Sequence, residues 1–105
     1  GSAKAKSYID ALRKRAHAEV HASYTLSDVL DERARELYCE GLRRTDLIRF
    51  NQFGGSQATY NWELKGGSTN GTTFAKTYNV YPLPSSEVLS NKNLTQIDGY
   101  NEVQN

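Results

Sequence analysis

The chain has one cysteine, Cys39, no methionine and only two prolines among its 105 residues. A single cysteine excludes an intrachain disulfide and any metal cluster built on cysteines. Charge of one sign is also lacking: the formal net charge is +1, so nothing points to nucleic acid or an anionic membrane as a partner. No run approaches the roughly 20 apolar residues of a membrane helix. No signal peptide is visible; Gly1-Ser2 reads as a cloning remnant, which removes any weight from a missing leader. The sequence lacks GxSxG, HExxH, a phosphate loop and a dinucleotide fingerprint. Serines and two histidines are present, but no spacing ties them into a nucleophile, base and orienting group. The expectation is a protein that is not an enzyme and uses no cofactor. Large apolar residues are scarce too: Leu, Ile, Val and Phe make 21 of 105, at the edge of what supports an independent core. The length fits a single domain, 1–105, or a fragment of something larger.

What the chain has is a long patterned stretch, Ser27 to Phe50. At about 100° per residue, Leu30, Ala34, Leu37, Gly41 and Ile48 share one face, and Glu32, Glu36, Glu40, Arg43 and Asp46 the opposite one. That is an amphipathic helix with a core-facing stripe and a charged ridge. Ser27 reads as its N-cap, with acidic residues first and Arg43, Arg44 and Arg49 last, which suits the helix dipole. Asp31–Arg35 and Glu40–Arg44 are i,i+4 pairs in the favourable order. Cys39 falls mid-helix as a small half-buried side chain. Gly41 marks a bend or a close backbone approach, and the helix ends by about Phe53.

Residues 3–22 read as a preceding helix with Ile9, Leu12, Ala16 and Val20 inward. Asp10, His17 and His21 lie together on another face, but Arg13 and Lys14 crowd the same surface and would repel a cation, so a solvated face is the better reading than a metal site. The connection from Ala22 to Leu26 is short, which implies an antiparallel helical hairpin. At Asn51 the composition changes. The first fifty residues carry 18 of the 25 charged side chains. Gly54-Gly55, Gly66-Gly67 and Asn70-Gly71 are turn signals, between which Tyr60 to Leu64 and Thr73 to Val80 read as brief strands or extended segments. The fold class is therefore mainly α: a helical hairpin over 3–53, then an irregular Gly- and aromatic-rich segment over 54–81 with at most a small β-hairpin around Gly66–Gly71. Residues 82–105 follow as a Pro-X-Pro segment, a short helix capped by Ser85 or Ser86, and an irregular tail anchored by Leu94, Ile97 and Tyr100.

Two constellations stand out. Glu36, Glu40, Arg43, Asp46 and Arg49 form a mixed-sign ridge, read as a structural network packed against the C-terminal segment, since buried charges must be paired. Paired acid–base chemistry from Glu32, Glu36 and Glu40 is the weaker reading. Trp62 and Tyr60, with Tyr78, Asn61 and Asn79, combine aromatic platforms with short polar side chains, the mixture that carbohydrate recognition uses. The same aromatics also serve simply to cover a thin core.

Several separated pieces resemble one family. They are Tyr8-Ile9 with Leu12-Arg13-Lys14-Arg15-Ala16, and Asp31-Glu32-Arg33-Ala34-Arg35-Glu36-Leu37 leading through Glu40-Gly41 and Arg43 to Asp46-Leu47-Ile48-Arg49. Then come Pro82-Leu83-Pro84, Glu87-Val88, Asn91, Leu94-Thr95-Gln96 and Gly99-Tyr100. Their order resembles the C-terminal portion of the SusD/RagB outer-membrane nutrient-binding lipoproteins, from about Ala5 to Tyr100. The resemblance implies tetratricopeptide-like helical hairpins and no enzymatic activity. It implies surface exposure on the outer membrane of a Gram-negative cell, and capture of glycans or other nutrients for a TonB-dependent outer-membrane transporter of the SusC type. The lipidated cysteine of such proteins lies far upstream, so Cys39 is not its counterpart. Their ligand-binding aromatics also lie mostly upstream, so no ligand residue carries over by motif. Where many members close on Gln-Asn-Pro-Gly-Tyr, this chain has Gln96-Ile97-Asp98-Gly99-Tyr100. Beside this reading stand a self-contained helical protein–protein interaction module and a small hydrolase using the helix carboxylates; the latter lacks a placed nucleophile.

Overall fold

Ser2 starts the first helix. Its hydroxyl accepts from Ala5 N at 3.2 Å, and a run of good helix formers carries α1 over Ala3–Arg15 in the computed structural model, which describes residues 2–100. Arg13, Lys14 and Arg15 fill its last turn, where cations suit the dipole. The helix stops seven residues short of the expected end. His17 turns left-handed at φ 54, Ala18 N bonds Arg13 O and His17 N bonds Lys14 O, the double closure of a Schellman motif. The ten-residue connector is then latched back onto α1 by a residue that periodicity did not single out. Tyr24 donates its hydroxyl proton to Asp10 at 2.8 Å, while Lys6 holds the other carboxylate oxygen at 2.6 Å.

Those contacts give a testable pH dependence. The bonds from Lys6 and Tyr24 hold the Asp10 carboxyl below its ordinary 3.8. A depressed carboxylate pKa contributes stability that is present above the unfolded value and lost as pH falls through the folded one. Asp10→Asn should therefore flatten the acid limb of the stability–pH curve below about pH 4, read by helix circular dichroism. An unchanged acid limb would show that this latch carries no linked stability.

Helix α2 (Leu26–Glu36) is capped by Thr25, not Ser27. Asp28 N bonds the Thr25 hydroxyl, and Thr25 N bonds Asp28 Oδ2 at 2.7 Å, a complete capping box. The single long helix expected over Ser27–Phe50 is broken. Leu37 closes α2, Cys39 and Gly41 adopt φ 63 and φ 75, and a separate helix α3 runs over Arg43–Arg49. The bend does fall at Gly41. Open space surrounds the position where its Cβ would lie, so the glycine is there for its backbone conformation and not for a close approach. Cys39 is accordingly exposed in an elbow, not half-buried in a helix. α1 packs on α2 and α2 on α3, around Ile9, Leu30 and Leu47.

By its internal contacts the chain divides into two compact units, Gly1–Phe50 and Asn51–Asn105. The second contains no strand among the described residues, so the region around Gly66–Gly71, read as at most a small β-hairpin, is irregular. Gly54 and Phe74 make one isolated parallel bridge, with Gly55 N bonded to Phe74 O. The segment read as a strand over Thr73–Val80 contains a 3-10 turn, Lys76–Asn79, and another covers Lys65–Gly67. Left-handed Leu64, Gly66 and Gly67 curl the chain there and prevent the extended pairing a hairpin needs. The final helix α4 (Ser85–Ser90) follows the extended Pro-X-Pro segment; Pro84 occupies the cap position, and no serine side chain caps it. Gln96, one of the motif residues, closes this part. Gln96 accepts from Leu83 N and donates to Leu83 O, both at 2.9 Å, a two-point clasp on the extended segment.

Candidate functional site

A lysine forms the centre of the second unit. Lys65 is 1% exposed, the most enclosed large side chain there. Its ammonium donates to Tyr60 O and Asn61 Oδ1, each at 3.1 Å. It lies 4.7 Å from the ring centroid of Trp62 and 5.1 Å from that of Phe74, within cation–π range. An ammonium has three donors and no acceptor; two go to oxygens and the aromatic faces cover the rest. Burial pulls its pKa below the ordinary 10.5. The local backbone permits this closeness because position 71 is glycine: φ is 72, and a Cβ would collide with the Trp62 carbonyl oxygen.

The rings around this cation make a connected cluster. Trp62 is 6.4 Å from Phe53, 6.4 Å from Tyr60 and 6.3 Å from Phe74, the last edge-on. Phe74 continues to Tyr78 at 5.6 Å, and Tyr78 to Tyr100 at 6.4 Å. Tyr100 is held by its hydroxyl donating to Val80 O at 2.9 Å. Trp62 keeps 36% of its surface exposed and Tyr78 53%, while Tyr60 is half-buried. The arrangement offers aromatic edges and faces fixed by packing, suited to stacking against an apolar ligand face. Asn61 is already committed, to Lys65 and to Thr73. Asn79 is turned inward: its Nδ2 donates to Gly54 O at 3.2 Å and its buried Oδ1 has no hydrogen-bond partner among the described residues. The two sequence candidates Trp62 and Tyr60 are thus brought together, while Asn61 is bonded internally and Asn79 is turned inward.

The charged ridge resolves differently from its sequence pattern. Asp46 is its buried member, accepting from Arg33 Nε at 2.9 Å and from an Arg49 terminal nitrogen at 2.8 Å. Arg43 donates to Leu30 O at 2.9 Å and stands 3.9 Å from Asp31. Glu36 pairs with Arg15 of α1. Glu40 lies exposed in the elbow, beyond the end of α2, where its i,i+4 spacing to Arg44 no longer applies. Arg35 pairs with Glu32, three residues back. Glu32, assigned to the solvent ridge by periodicity, is buried between Arg13 at 2.7 Å and Arg35 at 2.9 Å. Arg13–Glu32 and Arg15–Glu36 cross from α1 to α2 and Arg33–Asp46 from α2 to α3, while Arg35–Glu32 and Arg49–Asp46 lie within one helix; the first two pairs have nearly the same sequence offset, so α1 and α2 run in the same direction and not as the antiparallel hairpin expected from the short connection. Glu32, Glu36 and Asp46 each face a guanidinium. Among the described residues no group of three or more His, Cys, Asp or Glu is placed to hold a metal. No helix among them is long and apolar enough to cross a membrane.

The described residues thus form a mainly helical unit followed by an aromatic-rich irregular one, with no strand. The profile of the SusD family matches residues 1–100, and the chain belongs to that family. It is 45% identical over 93 residues to the starch-binding protein SusD of Bacteroides thetaiotaomicron, a match covering 88% of this chain and 16% of that protein. The chain therefore spans about one sixth of the length of the curated relative it matches. At family level this supports glycan binding, and proteins of the SusD family are outer-membrane surface lipoproteins.

Proposed function

We propose that this chain is the C-terminal portion of a cell-surface lipoprotein that captures a glycan and passes it to a TonB-dependent outer-membrane transporter of the SusC type. The observation that carries the reading is the 45% identity to a starch-binding protein across nearly the whole chain. It makes starch, an α-1,4-linked glucan, the first ligand to try. Within the portion described, the helices α1, α2 and α3 act as scaffold, their arginine–carboxylate pairs fixing the helix register. Trp62 and Tyr60 are the candidate sugar contacts: the Trp62 ring packs against Phe53, Phe74 and the Lys65 ammonium and the Tyr60 ring against Trp62, so little side-chain entropy is lost when a sugar face stacks on them.

The test is affinity electrophoresis of the full-length protein in gels containing soluble starch, dextran or no polysaccharide. Starch should retard migration and dextran should not. Retardation by neither would overturn glycan capture and favour a peptide or other nutrient. Trp62→Ala in the full-length protein should weaken the retardation; full retention would leave Trp62 and Tyr60 only as cover for Lys65.

A further inference from the structure

The candidate sugar contacts stand on chain that forms no regular structure. Residues 58–62 belong to no helix or bridge, so no ladder of backbone hydrogen bonds fixes Tyr60 or Trp62. Lys65 supplies what the backbone lacks. Its ammonium grips three consecutive residues, through Tyr60 O and Asn61 Oδ1 at 3.1 Å each and over the Trp62 ring at 4.7 Å. The same ammonium lies 5.1 Å from Phe74, whose ring meets Trp62 edge-on. Gln52 assists by accepting from Tyr60 N at 3.0 Å. Backbone geometry sets the place of the lysine: Lys65 N bonds Trp62 O at 3.1 Å, Thr72 N bonds Lys65 O at 3.0 Å, and left-handed Leu64 and Gly66 flank the residue. An apolar side chain would fill the same centre without the cost of burying a charge. What the charge adds is direction, since oxygens and ring faces attract a cation from particular sides. At 1% exposure Lys65 does not reach a ligand, whereas Trp62 keeps 36% of its surface open.

We propose that Lys65 is the positioning residue of this aromatic platform: its ammonium orders residues 60–62 so that the Trp62 ring stands fixed, with its open side ready for a sugar. The lysine touches no ligand and acts through Trp62. The consequence for sugar binding rests on the proposed glycan capture; the ordering of the ring does not.

Near-ultraviolet circular dichroism of the 105-residue chain reads the order of Trp62, its only tryptophan. Lys65→Met, uncharged and similar in length, should keep the helix signal and lose about half of the tryptophan band or more. Asn61→Ala, at an exposed residue, removes one of the two oxygens on the ammonium and should lower the band by a smaller step. It decides the matter where Lys65→Met fails to fold. In the full-length protein Lys65→Met should weaken starch retardation about tenfold, equivalent to about 1.4 kcal/mol, although the lysine touches no sugar. A tryptophan band unchanged in every variant that folds overturns the proposal. So does starch retardation that Trp62→Ala weakens and Lys65→Met leaves intact. A wild-type protein that starch does not retard overturns glycan capture instead, and the tryptophan band still decides whether Lys65 orders the platform.

Discussion

Arg33→Ala should destabilise the unit Gly1–Phe50 by about 3 kcal/mol, the low end of what breaking a buried ion pair costs. The Asp46 side chain is 5% exposed and Arg33 Nε holds one of its two oxygens. Without Arg33 that oxygen stays buried with no counter-charge, and only Arg49 on the other oxygen limits the damage. Asp46→Ala should cost less, about 2 kcal/mol, because it removes two charge-assisted bonds but leaves two guanidiniums that water can reach. Glu36→Ala should change stability by under about 0.5 kcal/mol, since its partner Arg15 is largely exposed. The order Arg33 above Asp46 above Glu36, from chemical denaturation followed by helix circular dichroism, is the discriminating result. Equal, small losses for all three would show the ridge to be a solvated face.

Lys65→Ala should have the largest effect in the second unit, about 3 kcal/mol, as for truncating a long buried side chain. It empties the centre of the aromatic cluster and leaves Asn61 Oδ1 and the Tyr60 carbonyl without the ammonium. Lys65→Met keeps most of the volume and should cost about 1–2 kcal/mol, the price of those lost hydrogen bonds. The lowered pKa sets a second readout. The unfolded lysine binds its proton more tightly than the folded one, so stability attributable to Lys65 rises with pH from the folded value up to the ordinary 10.5. Lys65→Met should abolish that rise. Trp62 is the chain's only tryptophan and touches the lysine, so its fluorescence reports this unit. A truncation to alanine that leaves the unfolding transition in place would show that the rings pack without the cation.

Much of this was legible before any coordinates. Apolar spacing placed two helices but not their relative sense: Arg13 meets Glu32 and Arg15 meets Glu36, so α2 runs alongside α1 in the same direction and not antiparallel to it. The loss of charged residues after Phe50 falls where the chain divides into its two units. Clustered glycines marked a part without regular structure, and the scattered motif pieces identified the family. These features are local or additive, so periodicity and composition carry them.

Gly41 signalled a bend, but tertiary structure alone decided that the helix breaks there, and it alone decided the buried charges and the lysine. Tyr38, Cys39 and Glu40 do not forbid a helix, and the charge pattern runs through them without interruption. What holds the break open is distant in sequence: Arg43 reaching Leu30 O and Asp46 reaching Arg33. Once α3 starts afresh, its phase resets, which is why Asp46 and Leu47 turn inward where a continuous helix would point elsewhere. Glu32 is buried because Arg13, nineteen residues earlier, comes to meet it. Lys65 offers the clearest case. By its chemistry a lysine belongs outside, and only the convergence of two oxygens and two aromatic rings makes the interior tolerable for its charge. Hydrophobic periodicity predicts where apolar groups go; the place of a charge depends on partners that only the folded chain assembles.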